Sequence, residues 1–134
     1  MRRIIGVGSP FGADQLGWRA IDLLQMLALS DCELIKLDRP GADLIRYLEG
    51  RDEVVIIDAV QAGESPGRLL RLEQDDLAAV ACQTSSHGFG VAETLAMAAK
   101  LGALPARLTL LGIETGPDLS VLPEFSNTEL LNLI

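Results

Sequence analysis

Aromatic side chains are scarce. One Trp, one Tyr and three Phe make up 4% of the 134 residues, so any core must be built from Leu, Ile, Val and Ala. Cysteine is rarer still. Cys32 and Cys82 lie far apart with no C-x-x-C between them, which excludes a zinc ribbon and a disulfide scaffold. Positive charge is short: 11 Lys and Arg face 19 Asp and Glu, for a formal charge of −8 and a pI near 4.5. Phosphate backbones and anionic lipid repel such a surface, so neither nucleic acid nor a membrane is expected as a partner. No apolar run approaches the 18 residues of a membrane span, and Met1-Arg2-Arg3-Ile4-Ile5-Gly6 carries no signal-like apolar stretch. A reducing cytoplasm is the expected location.

What is present is apolar and evenly spread. Hydrophobic residues are 49% of the chain and mean hydropathy is +0.29. A chain of this length buries roughly two-thirds of its unfolded surface, enough for one core without staples. A single domain over 1–134 is expected, with no repeat or linker.

Ile4 to Val7 is a short β-branched run that ends at Gly8-Ser9-Pro10, a buried strand leading into a turn. Leu16, Ala20, Leu23, Leu24 and Leu27 predict a helix over about 14–28 with one apolar stripe. Residues 31–37 alternate like a less buried strand, Asp38-Arg39-Pro40-Gly41 breaks it, and Ala42 to Leu48 forms a short helix closed by Gly50. Val54-Val55-Ile56-Ile57 is a continuous β-branched run, as expected where both faces of a strand are covered. Residues 68–72 predict an antiparallel or edge strand. A helix after Gly88 carries Phe89, Ala92, Leu95, Ala96 and Ala99 on one side and stops at Lys100 and Gly102. Leu108 to Ile113 is another buried strand, and a short helix is expected near 124–133. Strands alternating with helices imply an α/β, three-layer fold with a mostly parallel sheet and helices on both faces. Ligands of such sheets gather outside the carboxyl ends of the strands. Asp14, Asp38, Asp58 and His87 all follow strands or precede a helix in a way that offers them to that edge.

Gly6-Val7-Gly8 opens like a dinucleotide fingerprint, but Phe11 stands where the third glycine belongs and the run closes at Gly12. A sharp turn under a closely approaching backbone is the simpler reading. A small nucleotide- or phosphate-binding protein is the alternative. His87 is the only histidine, set between Ser86 and Gly88. With Asp14 and Asp58 it makes a two-carboxylate, one-imidazole set that suits zinc or nickel and leaves a coordination position open. Each acid also has a plain reading, Asp14 as a helix N-cap and Asp58 as a turn residue at a strand end. Ser9, Ser85 and Ser86 lack a G-x-S-x-G elbow, and Cys82 reads as a small core hydrophobe. Glu114 reads as a surface or capping carboxylate, and Glu73-Gln74-Asp75-Asp76 as a solvated turn.

Taken in order, these segments resemble the hydrogenase maturation proteases. The family's opening G-x-G-N-P-L-x-G-D-[DE]-G-x-G is matched by Gly6-Val7-Gly8-Ser9-Pro10-Phe11-Gly12-Ala13-Asp14-Gln15-Leu16-Gly17, with a one-residue gap placed after Phe11. Asp38 before Gly41, then Ile57-Asp58-Ala59-Val60 with Pro66-Gly67 following, then Ser85-Ser86-His87 with Glu93, then Gly112-Ile113-Glu114 complete the series. The chain departs from the pattern at Ser9, Ala13 and Gln15.

The resemblance implies a phosphorylase/hydrolase-like three-layer fold and an aspartic-type endopeptidase acting on the nickel–iron hydrogenase large-subunit precursor. It implies a catalytic set of Asp14, Asp38, Asp58 and His87, of which Asp14, Asp58 and His87 engage nickel already lodged in the substrate. Zinc or cadmium would stand in for nickel on the isolated protein. An ion so held polarises a scissile carbonyl or activates water, and Asp38 would orient that water or accept a proton. A docking or chaperone protein for the nickel site, cutting nothing, is the alternative on the same fold.

Overall fold

The β-branched runs occupy the middle of one five-stranded sheet. The computed structural model describes residues 2–29, 31–38, 42–50, 52–73 and 91–134. In chain order the elements are β1 (Arg2–Val7), a 3-10 turn (Gly12–Gln15), α1 (Leu16–Met26), β2 (Cys32–Leu37), α2 (Ala42–Leu48), β3 (Glu53–Val60), β4 (Leu69–Glu73), α3 (Val91–Lys100), β5 (Arg107–Glu114) and α4 (Asn127–Leu133). The strand order is β2-β1-β3-β5-β4. β2, β1, β3 and β5 run parallel, and β4 closes the sheet antiparallel to β5.

Burial follows position in the sheet. β3 and β5 are buried from their second residue onward, whereas β2, at an edge, is half-buried along most of its length. Strand alternation sends side chains to opposite faces. Ile5, Val7, Val54, Ile56, Leu108 and Leu110 pack under α2 and α3 through Leu44, Leu48, Val91, Leu95 and Ala98. Ile4, Val55, Ile57, Ala59, Leu111 and Ile113 pack under α1 and α4 through Leu16, Ala20, Ile21, Leu24 and Leu130. The three-layer α/β architecture expected from the sequence is therefore the one present.

Three expectations change in detail. The helix predicted from 14 begins as a 3-10 turn and becomes α-helical only at Leu16, and Leu27 beyond its end is exposed. Among the α3 positions whose side chains are described, Val91, Thr94, Leu95 and Ala98 are buried, while Ala96 and Ala99 face outward. Alanine fits either environment, so an alanine-rich helix gives a weak stripe. The last helix is shorter than 124–133. It opens at Ser126, whose side chain accepts from the Glu129 amide at 3.2 Å, a Ser-x-x-Glu start.

The order of strands also makes a crevice. From β1 the chain passes through α1 on one face to β2, then returns through α2 on the other face to β3, on the opposite side of β1. The loops after β1 and β3 therefore diverge at the carboxyl edge, the topological switch point where α/β sheets hold their ligands.

Candidate functional site

The Gly6–Gly17 stretch sets the first side of this crevice. A Cβ on Gly17 would stand 2.3 Å from the Val7 carbonyl oxygen and 2.7 Å from that of Ile57. A Cβ on Gly6 would meet the Gly17 carbonyl oxygen at 2.4 Å. The two glycines let the start of α1 lie directly on β1 and β3, the close approach that the sequence suggested. Trp18 fixes the adjoining side, its indole N–H donating to the Leu37 carbonyl at 2.9 Å, and the Gly8 amide reaches the same oxygen at 3.0 Å. The end of β2, and Asp38 after it, is thereby tied to the β1 loop.

The loop amides point inward. Gly8 donates to Leu37, Ser9 to the Asp14 carbonyl at 3.0 Å, Ala13 to Leu119 at 2.9 Å and Asp14 to Phe11 at 3.0 Å. A phosphate cradle needs such amides turned toward the ligand. Nucleotide binding at Gly6–Gly12 is not supported.

Asp14 sits in the 3-10 turn and is half-buried. It is not the helix cap: the N-cap of α1 is Gln15, and no side-chain capping bond forms. Among the described residues no hydrogen bond or ion pair engages the Asp14 carboxylate, which leaves its oxygens available. Ala13, where the family pattern carries an acid, is wholly buried among Leu16, Ile57 and their neighbours. Asp14 is the acid that remains in this loop.

Asp58 is 1% exposed. It does not end its strand. The β3–β5 ladder continues through Asp58↔Gly112 and Ala59↔Ile113 to Val60↔Glu114, so the strand-end turn reading is replaced by a carboxylate within the last turn of pleat. One oxygen, Oδ1, accepts from the Ala59 amide at 2.9 Å. Alternation places Asp58 on the face of Val54 and Ile56, the face covered by α2 and α3. Gly6 pairs with Ile57 and Val7 with Leu37, so the chain leaving β1 runs between Asp58 on β3 and Asp38 after β2. Asp38 is exposed. Asp14, Asp38 and Asp58 thus share the carboxyl edge, as the order of elements implied.

His87 lies outside the described residues, as do Cys82, Ser85, Ser86, Phe89, the acids at 75 and 76, and positions 39–41. Among the described residues no cluster of three His, Cys, Asp or Glu side chains could hold an ion; the expected set contributes Asp14 and Asp58 there. A cleft of about 670 Å³ lies elsewhere, between the later turns of α1 and the 122–127 segment, lined by Arg19, Asp22, Met26 and Phe125 among others. None of its lining residues belongs to the predicted set.

Sequence reasoning missed the weight of Glu114. It is wholly buried, not superficial. Oε1 accepts from the amides of Ala62 at 2.8 Å and Glu64 at 3.0 Å, and Oε2 from Gly116 at 2.9 Å. Burial works to raise its pKa, but the amides of Gly116, Glu64, Ala62 and Thr115 outweigh it and hold the carboxyl below its ordinary value. The capping half of the sequence expectation holds. Its signals in the sequence were a polar residue at the end of a buried strand, followed by Thr-Gly, and its place in the family-like Gly112-Ile113-Glu114 segment.

The family model described as hydrogenase maturation protease matches residues 21–121. The hydrogenase expression/formation protein HupD of Thiocapsa roseopersicina is 34% identical over 116 residues, covering 83% of this chain and 52% of its own length. The hydrogenase 2 maturation protease of Escherichia coli is 29% identical over 115 residues, covering 82% of this chain and 70% of its own. The solved hydrogenase maturating endopeptidase HybD from Escherichia coli superposes with a TM-score of 0.74 at 23% identity, over 95% of this chain and 81% of that one, a likeness of fold. The chain spans about half the length of the HupD relatives it matches.

Proposed function

Because this chain belongs to the hydrogenase maturation protease family, we propose that it is an endopeptidase that removes the C-terminal extension of a nickel–iron hydrogenase large-subunit precursor. The observation that carries the reading is the pair Asp14 and Asp58 on the two sides of the switch point. Asp14 is uncommitted among the described residues, and Asp58 is buried within the last turn of β3. A buried carboxylate and an uncommitted one at the same carboxyl edge suit a divalent cation better than an anion.

Nickel enters as part of the substrate. Asp14 and Asp58 supply oxygen ligands to it and His87 supplies an imidazole, so the precursor is recognised by the ion it already holds. Three ligands from the protein leave the ion free to keep contact with the precursor and to polarise the scissile carbonyl. Asp38, on the β2 side of the same edge, orients the attacking water and takes its proton, an aspartic-type role. Zinc or cadmium takes the same ligands when the protein is alone. The work is cytoplasmic, in keeping with Cys32 as a free thiol. No helix among the described residues is long and apolar enough to cross a membrane.

The test is a single-turnover processing assay on nickel-loaded precursor. His87→Ala and Asp58→Asn should each slow cleavage at least about a hundredfold, equivalent to about 2.7 kcal/mol of lost transition-state stabilisation. Cleavage by either variant at the normal rate would remove that residue from the site.

A further inference from the structure

Gly112-Ile113-Glu114 ends β5, and its glutamate takes no part in the chemistry above. Yet Glu114 is among the most heavily bonded side chains described. Its two oxygens hold the amides of Ala62, Glu64 and Gly116. Its backbone acts on the same loop: the Gly67 amide donates to the Glu114 carbonyl at 2.8 Å, and the Glu114 amide donates to the Arg68 carbonyl at 2.9 Å. One residue therefore grips the β3–β4 connection near its start, its middle and its end.

The surroundings reinforce the grip. Thr115 donates to the Val60 carbonyl at 2.8 Å, and the Gln61 side-chain amide donates to the Gly116 carbonyl at 3.1 Å. The gripped chain begins three residues after Asp58, at the carboxyl edge, and Val60 pairs directly with Glu114. Simple loop closure does not call for a buried carboxylate, since a backbone turn bond, from the Arg68 amide to the Ser65 carbonyl at 3.1 Å, already turns the chain into β4. A buried charge that receives several amides instead over-determines one conformation.

We propose that Glu114 is a positioning residue for cleavage: it fixes the 61–67 loop and the end of β3 as an immobile wall beside Asp58. It touches no substrate atom and acts through the backbone it holds. The inference rests on the endopeptidase reading of the Asp14–Asp58 edge.

Glu114→Gln and Glu114→Leu separate this role from plain stability. Gln keeps one oxygen able to accept from Ala62 and Glu64; Leu keeps none. Both are assayed on nickel-loaded precursor below their melting temperatures, with rates normalised to folded protein by circular dichroism. The expected result is a graded fall in kcat, about tenfold for Gln and larger for Leu, with KM within twofold of wild type. Faster hydrogen exchange at the Ala62 and Glu64 amides should accompany it. If Leu does not fold, Gln alone decides. An unchanged kcat per folded Gln molecule would overturn the positioning role while leaving the endopeptidase reading intact. A wild-type protein that cuts nothing would overturn both.

Discussion

Asp14 and Asp58 reach the same edge by different means, and their substitutions should differ accordingly. Asp14 stands in a short 3-10 turn with its carboxylate unengaged among the described residues, so Asp14→Asn should leave stability within about 0.5 kcal/mol, the usual range for a surface change. Asp58 is buried and holds the Ala59 amide, a bond that an asparagine oxygen can keep. Asp58→Asn should therefore fold but lose the ion. In thermal melts, zinc or cadmium at a hundredfold excess over its Kd should stabilise the wild type by about 2.7 kcal/mol and Asp58→Asn not at all. Equal stabilisation of both would move the ion elsewhere. Glu114 gives a separate signature in pH. Its carboxyl is held below the ordinary 4.5 in the folded protein. The stabilisation is thus complete above the ordinary carboxylate range and is lost as pH falls through the lower folded value. In urea melts, the stability gap between wild type and Glu114→Gln should be widest near neutrality and narrow below about pH 4.5. A gap that grows with acid would contradict the assignment.

At the scale of elements, the position of the site depends on how tightly α1 lies on the sheet. Gly17 has backbone oxygens within 2.7 Å of any added Cβ, on β1 and β3 alike. Gly17→Ala must push the helix away and carry the Asp14 turn with it. We expect a loss of about 1–3 kcal/mol in urea denaturation, the range for overpacking, together with impaired processing. An alanine variant with wild-type stability would show that the contact yields easily. Much at this scale was legible. β-branched runs gave β1 and β3, and a leucine-rich run gave β5, because a strand covered on both faces must be largely apolar, while alternation gave the half-buried β2. Turn residues before 68–72 gave the antiparallel β4. Asp14, Asp38 and Asp58 could be placed at the carboxyl edge from sequence because the order of elements decides which loops lie there. What escaped depends on partners distant in sequence. Ala62 and Glu64 lie about fifty residues from the carboxylate that holds them. The ladder beyond Asp58 is fixed by Gly112 on β5 rather than by its own neighbours. The buried face of α3 is obscured by alanines that suit either side.

For the whole molecule, the net charge is −8, and the proposed site gathers Asp14, Asp38 and Asp58 at one edge of the sheet. On the proposed reading, such a site is electrostatically incomplete until a cation arrives, and the loaded state of the precursor would be the checkpoint for cleavage. Two aliphatic layers clamp a sheet whose strand order places the crevice. The same logic predicts that a metal-free precursor is ignored even at concentrations that saturate cutting of the loaded one. The most direct measurement is therefore the intact mass of the large-subunit precursor, nickel-loaded and metal-free, before and after incubation with this protein. Loss of one discrete C-terminal fragment from the loaded form alone, abolished by Asp58→Asn, is the expected result. Equal trimming of both forms would contradict metal-directed recognition, and an unchanged mass with the two proteins still bound would leave a docking protein in place of an endopeptidase.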